Sequence, residues 1–499
     1  MVQFSAMKRV KGRAPLSVVV SIIGGLALAG IIFTEDFRGL TGKPITNRVI
    51  IPNTMHQCCR YKLINVAATA HPCMFSEVKE KKETEKEKEK EKRTSLRAEM
   101  RASAVLSAEP VTPSPEAAKM AFDASRCSVT KGYWAYDKSK KLPYTDQTCP
   151  YIDRQDSCQR NGRPDSDYLY WDWHLDDCIL PRFDPVAMLE KLRGKRIVFV
   201  GDSLQLGQWL SFVCLVNSAV PDTAAAKSME RSDTLSVYVA KEYNASIEFY
   251  WAPFLVESNS DRNIRLGASG RVLHVDAIEE HARHWRRADI LVFDSYVWWM
   301  TGYSIKTVWG SFGDEGYEEL DAWVAYRLGL KTWANWVDFN IDPNATRVFF
   351  MSISTTHMRQ THHTYPDILL ILLDYIIKGV IFSVACCGRS EDWGREGGIR
   401  CYNETRPITR RDYWGSGADR RMMEVMSGVL GRMRVPVTLL NITQLTEHRV
   451  DAHVSVYTET GGLLVTDEQK ADPQRYTDCI HWCVPGVPDT WNRILFAHL

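Results

Sequence analysis

From Arg196 onward the chain predicts an α/β fold, a parallel sheet flanked by helices, and two observations carry the prediction. Short apolar runs at 197–200, 247–251, 290–293, 348–351 and 437–440 have the length and composition of buried strands. Between them lie stretches of helical periodicity at 208–216, 277–285, 318–337 and 420–433. Strands and helices in alternation point to parallel pairing, because consecutive parallel strands need a long crossover between them. The sequence contains no internal repeat.

The chain before that segment reads differently. Residues 1–15 form a short tail with Lys8, Arg9, Lys11 and Arg13, and 16–33 is an uncharged apolar run followed at once by Glu35 and Asp36. A helix of ~20 apolar residues crosses a bilayer. Basic residues on the N-terminal side hold that end in the cytoplasm, so 16–33 reads as a transmembrane anchor with the bulk of the chain lumenal. A cleaved signal peptide, processed near Ala27-Leu28-Ala29, is the alternative; the continuation of the run to Phe33 favours the anchor. Residues 34–125 read as a disordered stem. Within it, 76–93 is almost entirely Glu and Lys and buries nothing, and 102–124 is rich in Ala, Ser and Pro. A net charge of +1 gives no basic surface for nucleic acid.

The character changes at Cys127, and 126–499 is expected to form the lumenal domain. Its first part, 127–178, is aromatic, turn-rich and cysteine-bearing, which predicts a disulfide-tied subregion with little regular structure. Cys127, Cys149, Cys158, Cys178, Cys214, Cys401, Cys479 and Cys483 are an even set across the domain, as expected for disulfides in an oxidising lumen. Zinc ligation is the other reading of Cys479 and Cys483, but no matching pair stands at ligand spacing elsewhere, so no metal site is expected. Sequons at Asn244, Asn344, Asn403 and Asn441 are permissive for glycosylation. One stretch, 360–389, does not fit. Its apolar run contains Asp374, Lys378 and the pair Cys386-Cys387. A second membrane helix would place both charges in mid-span at high cost; a core helix and an insertion foreign to the fold are the other readings.

Chemistry concentrates in two places. Gly201-Asp202-Ser203 follows a strand-like run and precedes a helix-like one, a turn that presents a hydroxyl at the sheet edge near backbone N–H groups able to stabilise an oxyanion. Asp478 and His481 are three residues apart, so one helical turn or a tight loop could bring both to Ser203. His481 would then take the serine proton while Asp478 orients the imidazole.

The surrounding residues carry a family resemblance. Cys149-Pro-Tyr151, the run Cys158-Gln-Arg-Asn-Gly-Arg-Pro-Asp-Ser-Asp-Tyr168, Phe199-Val-Gly-Asp-Ser203, Tyr250-Trp-Ala-Pro-Phe254, Val297-Trp-Trp299 and Asp478-Cys-Ile-His-Trp-Cys-Val-Pro-Gly-Val-Pro-Asp-Thr-Trp-Asn492 are the anchors. Across 127–497 the chain resembles the plant trichome-birefringence-like family of polysaccharide O-acetyltransferases, within the wider GDSL/SGNH-type esterases. It most resembles those members that acetylate xylose residues of xylan in the Golgi. The resemblance implies an SGNH/GDSL-esterase-like parallel sheet, with Ser203 as the nucleophile that carries acetyl as a serine ester. His481 would be the general base and Asp478 its orienter. It implies bridges Cys127–Cys178, Cys149–Cys214, Cys158–Cys483 and Cys401–Cys479, and nominates Asp202, Gly207, Gln208, Asp294, Trp298, Trp299 and His357 as oxyanion or substrate contacts.

Four departures from the family pattern stand out. Leu206 occupies a position where members commonly have Arg, and Asp294 one where they often have Asn; an ionised Asp294 would repel an oxyanion. Ser354-Thr-Thr-His357 replaces a Ser-Pro-x-His segment, and 360–389 has no counterpart, which favours the insertion reading. The expected activity is transfer of acetyl onto xylan or a related cell-wall polysaccharide, by a single-pass type II enzyme of the Golgi membrane. No bound cofactor is implied, but an acetyl donor is required, acetyl-CoA being one candidate. A polysaccharide acetylesterase would use the same triad, and a catalytically impaired glycan-binding homologue is the reading that Leu206 and Asp294 support.

Overall fold

The computed structural model describes residues 119–499 apart from 262–269, 301–303, 309–316, 359–392, 394, 396–397, 412, 416 and 461. The expected tail at 1–15, the anchor at 16–33, nearly all of the stem and the segment 360–389 therefore lie outside the described residues. No helix among the described residues is long and apolar enough to cross a membrane.

The central sheet has seven strands: β1 (Arg196–Gly201), β2 (Lys227–Arg231), β3 (Leu235–Ala240), β4 (Ala245–Trp251), β5 (Ile290–Phe293), β6 (Arg347–Met351) and β7 (Val437–Leu440). They lie in the order β7-β6-β5-β1-β4-β3-β2. The five runs read as strands become β1, β4, β5, β6 and β7, and all five pair in parallel. The antiparallel edge made by β2 and β3 was not anticipated. In β3 the buried positions include Ser236 while Val237 and Val239 are half-exposed, so the usual apolar-in, polar-out signal is blurred.

Among the helices that flank the sheet are α1 (Ser203–Asn217), α2 (Glu279–Trp285), α3 (Ala322–Asn340), α4 (Arg420–Leu430) and α5 (Val487–His498). Alternation along β1 divides the core. Ile197 and Phe199 join a cluster with Trp209 and Phe212 of α1 and Trp491 and Leu495 of α5. Val198 and Val200 face the other way, toward Trp285 of α2, Trp333 of α3 and Met422 of α4. The result is a helix–sheet–helix sandwich, the α/β class expected. The helix expected at 318–337 begins at Ala322, because Glu318–Asp321 is a strand paired with Ser304–Val308 in a separate four-stranded sheet.

The N-terminal subregion is more regular than expected. Gly132–Tyr136 and Trp171–Leu175 form an antiparallel pair, and Met120–Ala121 runs parallel to Cys178–Ile179, just before the expected start of the domain. Among the described residues four disulfides join Cys127–Cys178, Cys149–Cys214, Cys158–Cys483 and Cys401–Cys479, the pairs implied by the resemblance. Sequon residues Asn244, Asn344 and Asn403 are exposed; Asn441 is half-buried, its side-chain oxygen accepting from the Ser352 hydroxyl.

Candidate active site

β1 lies at the point where the sheet changes direction. The chain leaves it toward β4 on one side and later returns to β5 on the other, which opens a crevice beyond the C-terminal end of β1. Ser203 is placed there. β1 ends at Gly201, Asp202 caps α1 by accepting the Leu204 N–H at 2.9 Å, and Ser203 is the first helical residue. Glycine is required at 201: a Cβ would lie 2.7 Å from the Asp294 carbonyl oxygen and 2.8 Å from Gln205 Cβ.

Asp478 and His481 reach Ser203 from a strand, not from a helical turn or loop. β8 (His453–Ser455) and β9 (Asp478–Trp482) pair antiparallel, with His453 opposite Trp482 and Ser455 opposite Asp478. Three residues of β8 thus span five of β9. A regular strand would send residues three apart to opposite faces; the irregularity puts both on one. Asp478 Oδ1 accepts the N–H groups of Ile480 at 2.9 Å and His481 at 3.1 Å, which locks the bend. Its Oδ2 lies 2.7 Å from His481 Nδ1, and His481 Nε2 lies 2.7 Å from Ser203 Oγ. Since the carboxylate only accepts, Nδ1 keeps its proton, and in the neutral ring Nε2 is the nitrogen left to receive one from the serine.

The electrostatics follow from these contacts. Burial alone would push the His481 pKa down, but the Asp478 charge and hydrogen bond override it and raise it to about 9, with Asp156 and Asp202 contributing. Burial likewise opposes ionisation of Asp478, yet His481 and two N–H donors hold its carboxyl well below the usual range. Asp156, which sequence reasoning missed, is buried close to this pair, and burial lifts its pKa to about 8. Burial lifts Asp202 to about 6, against the N–H groups of Leu204, Gln205 and Val297 that favour its charge. Asp294 is driven well above the ordinary carboxylate range by burial and by Asp202. That shift favours the neutral acid over the repelling anion, and a protonated carboxyl can donate a hydrogen bond as asparagine does.

Behind β9 lies a second histidine pair. His357 Nδ1 is 2.7 Å from His453 Nε2, and His453 Nδ1 is 3.0 Å from the His481 carbonyl oxygen. The His357 backbone N–H donates to the Cys479 carbonyl, and its Nε2 faces the Glu447 carbonyl at 3.0 Å. Thus His357, nominated as an oxyanion or substrate contact, is enclosed at 3 % exposure and braces β9. Trp299 is also fully enclosed, its Nε1–H donating to Ser295 Oγ. Gly207 and Gln208 are buried within α1; a Cβ at Gly207 would meet nothing within 4 Å, so space opens above it, one helical turn from Ser203. Trp298 remains half-buried, on the turn Val297–Met300 that follows Asp294. His453 carried a signal that could have been read: a histidine inside the apolar run that became β8.

Cys479 and Cys483 are spent in disulfides, so neither is a zinc ligand, and among the described residues no group of three His, Cys, Asp or Glu is placed to hold a metal. Residues 180–366 and 382–498 match the GDSL/SGNH-like acyl-esterase family found in Pmr5 and Cas1p, and 125–179 match the PMR5 N-terminal domain. The chain is 74% identical to the probable xylan O-acetyltransferase 8 of Oryza sativa subsp. japonica, with 100% of each covered. It is 53% identical to the protein trichome birefringence-like 3 of Arabidopsis thaliana, over 76% of this chain and 80% of that one. Its identity to xylan O-acetyltransferase 6 of Oryza sativa subsp. japonica is 44%, over 75% and 62%.

Proposed function

The chain belongs to the GDSL/SGNH-like acyl-esterase family found in Pmr5 and Cas1p, and from that premise we propose that it is a polysaccharide O-acetyltransferase that moves acetyl groups onto xylosyl residues of xylan. The observation that carries the mechanism is the unbroken contact from Asp478 through His481 to Ser203. In the first half-reaction His481 Nε2 takes the Ser203 proton as Oγ attacks the carbonyl carbon of the acetyl donor. The negative charge on the carbonyl oxygen is met by donors at the start of α1. Collapse expels the donor's leaving group, which receives the proton from His481 and leaves acetyl-Ser203. In the second half-reaction a sugar hydroxyl gives its proton to His481 and attacks the ester; Ser203 Oγ leaves and regains the proton.

The anchor-like run at 16–33 and the four disulfides support a type II Golgi membrane protein with the domain lumenal. Hydrolysis is the second reading, favoured by the acyl-esterase description of the family; water would then replace the sugar hydroxyl. One experiment separates them. The protein is incubated with an acetyl donor and deacetylated xylo-oligosaccharides, with mass spectrometry of both protein and glycan. Acetyl-Ser203 and acetylated glycan are expected, and Ser203→Ala should lose about 10⁴-fold or more in rate while staying folded. Free acetate without glycan acetylation would select the esterase, and near-normal transfer by Ser203→Ala would exclude the covalent route.

A further inference from the structure

We propose that Arg271, stacked on Trp298 beside the nucleophile, is the receptor for an oxyanion carried by one of the two substrates of transfer. The proposal rests on the acetyl-transfer reading above and goes beyond it to what the substrates carry. Its starting point is an arginine without a hydrogen-bond partner for two of its nitrogens among the described residues. The guanidinium carbon lies 3.8 Å from the centre of a Trp298 ring. Nε and Nη1 are buried without a hydrogen-bond partner. Burial alone pulls the Arg271 pKa below the ordinary arginine value, with no carboxylate among the described residues answering the charge. Other enclosed arginines are matched: Arg163 to Asp165 and to the His453 and Asp451 carbonyls, and Arg449 to Asp451. Buried donors left unmatched cost stability, and in native proteins they call for an explanation.

The position supplies one. The Val297 N–H lies near enough to the carboxyl of Asp202, the residue before Ser203, to favour its charge, so the turn carrying Trp298 abuts the nucleophile's own turn. Trp298 meets Trp251 edge-on at 5.3 Å, and Trp251 pairs in register with Gly201. The stack therefore sits at the C-terminal edge of β1 and β4, where the crevice opens. A ring face fixes the plane of a guanidinium, and its fork matches a carboxylate or a phosphate. Two sources have that chemistry: a uronic acid branch on the acceptor glycan, and the phosphates of a coenzyme A thioester donor.

The test compares wild type, Arg271→Gln and Arg271→Lys in steady-state transfer with three substrate pairs. These are an uncharged aryl acetate with linear xylo-oligosaccharides, the same donor with uronosyl-branched ones, and acetyl-CoA with linear ones. In Arg271→Gln the ratio of kcat/KM for a charged pair over the uncharged pair should fall about 10- to 100-fold, chiefly through KM, the worth of a charge-assisted hydrogen bond. Arg271→Lys, which keeps charge but not fork, should fall between. A loss confined to the branched acceptor assigns the carboxylate, and one confined to acetyl-CoA assigns the phosphates; either supports the proposal. Equal losses in all three pairs, or none, overturn it. If wild type acetylates no glycan, the functional reading fails by itself. Calorimetry with glucuronate and with inorganic pyrophosphate then decides for Arg271: weaker binding of either by Arg271→Gln upholds the receptor, and equal binding of both overturns it.

Discussion

With a pKa of about 9, His481 is mostly imidazolium at neutral pH and cannot accept the Ser203 proton in that form. The free enzyme should therefore gain kcat/KM about tenfold per pH unit from pH 7 upward and level off near pH 9. The stability sign is opposite. A histidine whose folded pKa is raised stabilises the fold fully below its unfolded value of ~6.5 and loses that contribution as pH rises through 9. Asp478 is depressed, so its contribution is present above ~4 and is lost as pH falls further. The pair should thus be most stabilising between about pH 4 and 6.5, where the base is least active. Asp478→Asn provides the check. Without the carboxylate, burial governs His481, so the rate profile should shift toward acid while the plateau falls by about 10⁴-fold. An unshifted profile would mean that another group sets the rise.

β9 shows what sequence could and could not yield at the scale of an element. Four sheet strands were legible because they are buried on both faces and read as continuous apolar runs, and the edge strand β7 because its short run is still mostly apolar; β2, largely polar, and β3, with its blurred alternation, were not. Ser203, His481 and Asp478 were legible as residue types. Their geometry was not, because it depends on a bulge made across residues 453–482, and no local pattern encodes that. Bridges Cys401–Cys479 and Cys158–Cys483 fasten β9 from within and from just beyond its end, whereas Cys127–Cys178 ties the distal subregion. Replacing both cysteines of any one bridge by serine should cost about 2–5 kcal/mol of unfolding free energy. Activity measured on the folded fraction should fall only for the two that hold β9, since a small drift of the base is enough to slow transfer. Loss of activity in mere proportion to unfolding for all three would show that the bridges do not position the base.

For the whole molecule the open question is 360–389, which the family match bears on by leaving 367–381 unaligned between its two blocks. A single membrane crossing within 360–389 would put Ser203 and His481 on opposite sides, yet they are 2.7 Å apart, and Cys158 is bonded to Cys483 across the same interval. The described flanks also return to one place. Met358 and Trp393 pack against the same cluster around Cys401, Val450 and Cys479, and the rings of His357 and Trp393 are 5.6 Å apart. Chain ends that meet can be joined by a short link without straining what they attach to, and shortening such a loop lowers its closure entropy. We therefore expect a chain lacking 360–389 to fold with the same four disulfides, to keep its acetyl transfer, and to be secreted in higher yield, since an apolar run with two charges is removed from the domain. Secretion yield, non-reducing peptide mapping and the transfer assay read the three parts separately. Failure of the shortened chain to form Cys401–Cys479 would show that 360–389 is needed to bring the two halves of the domain together.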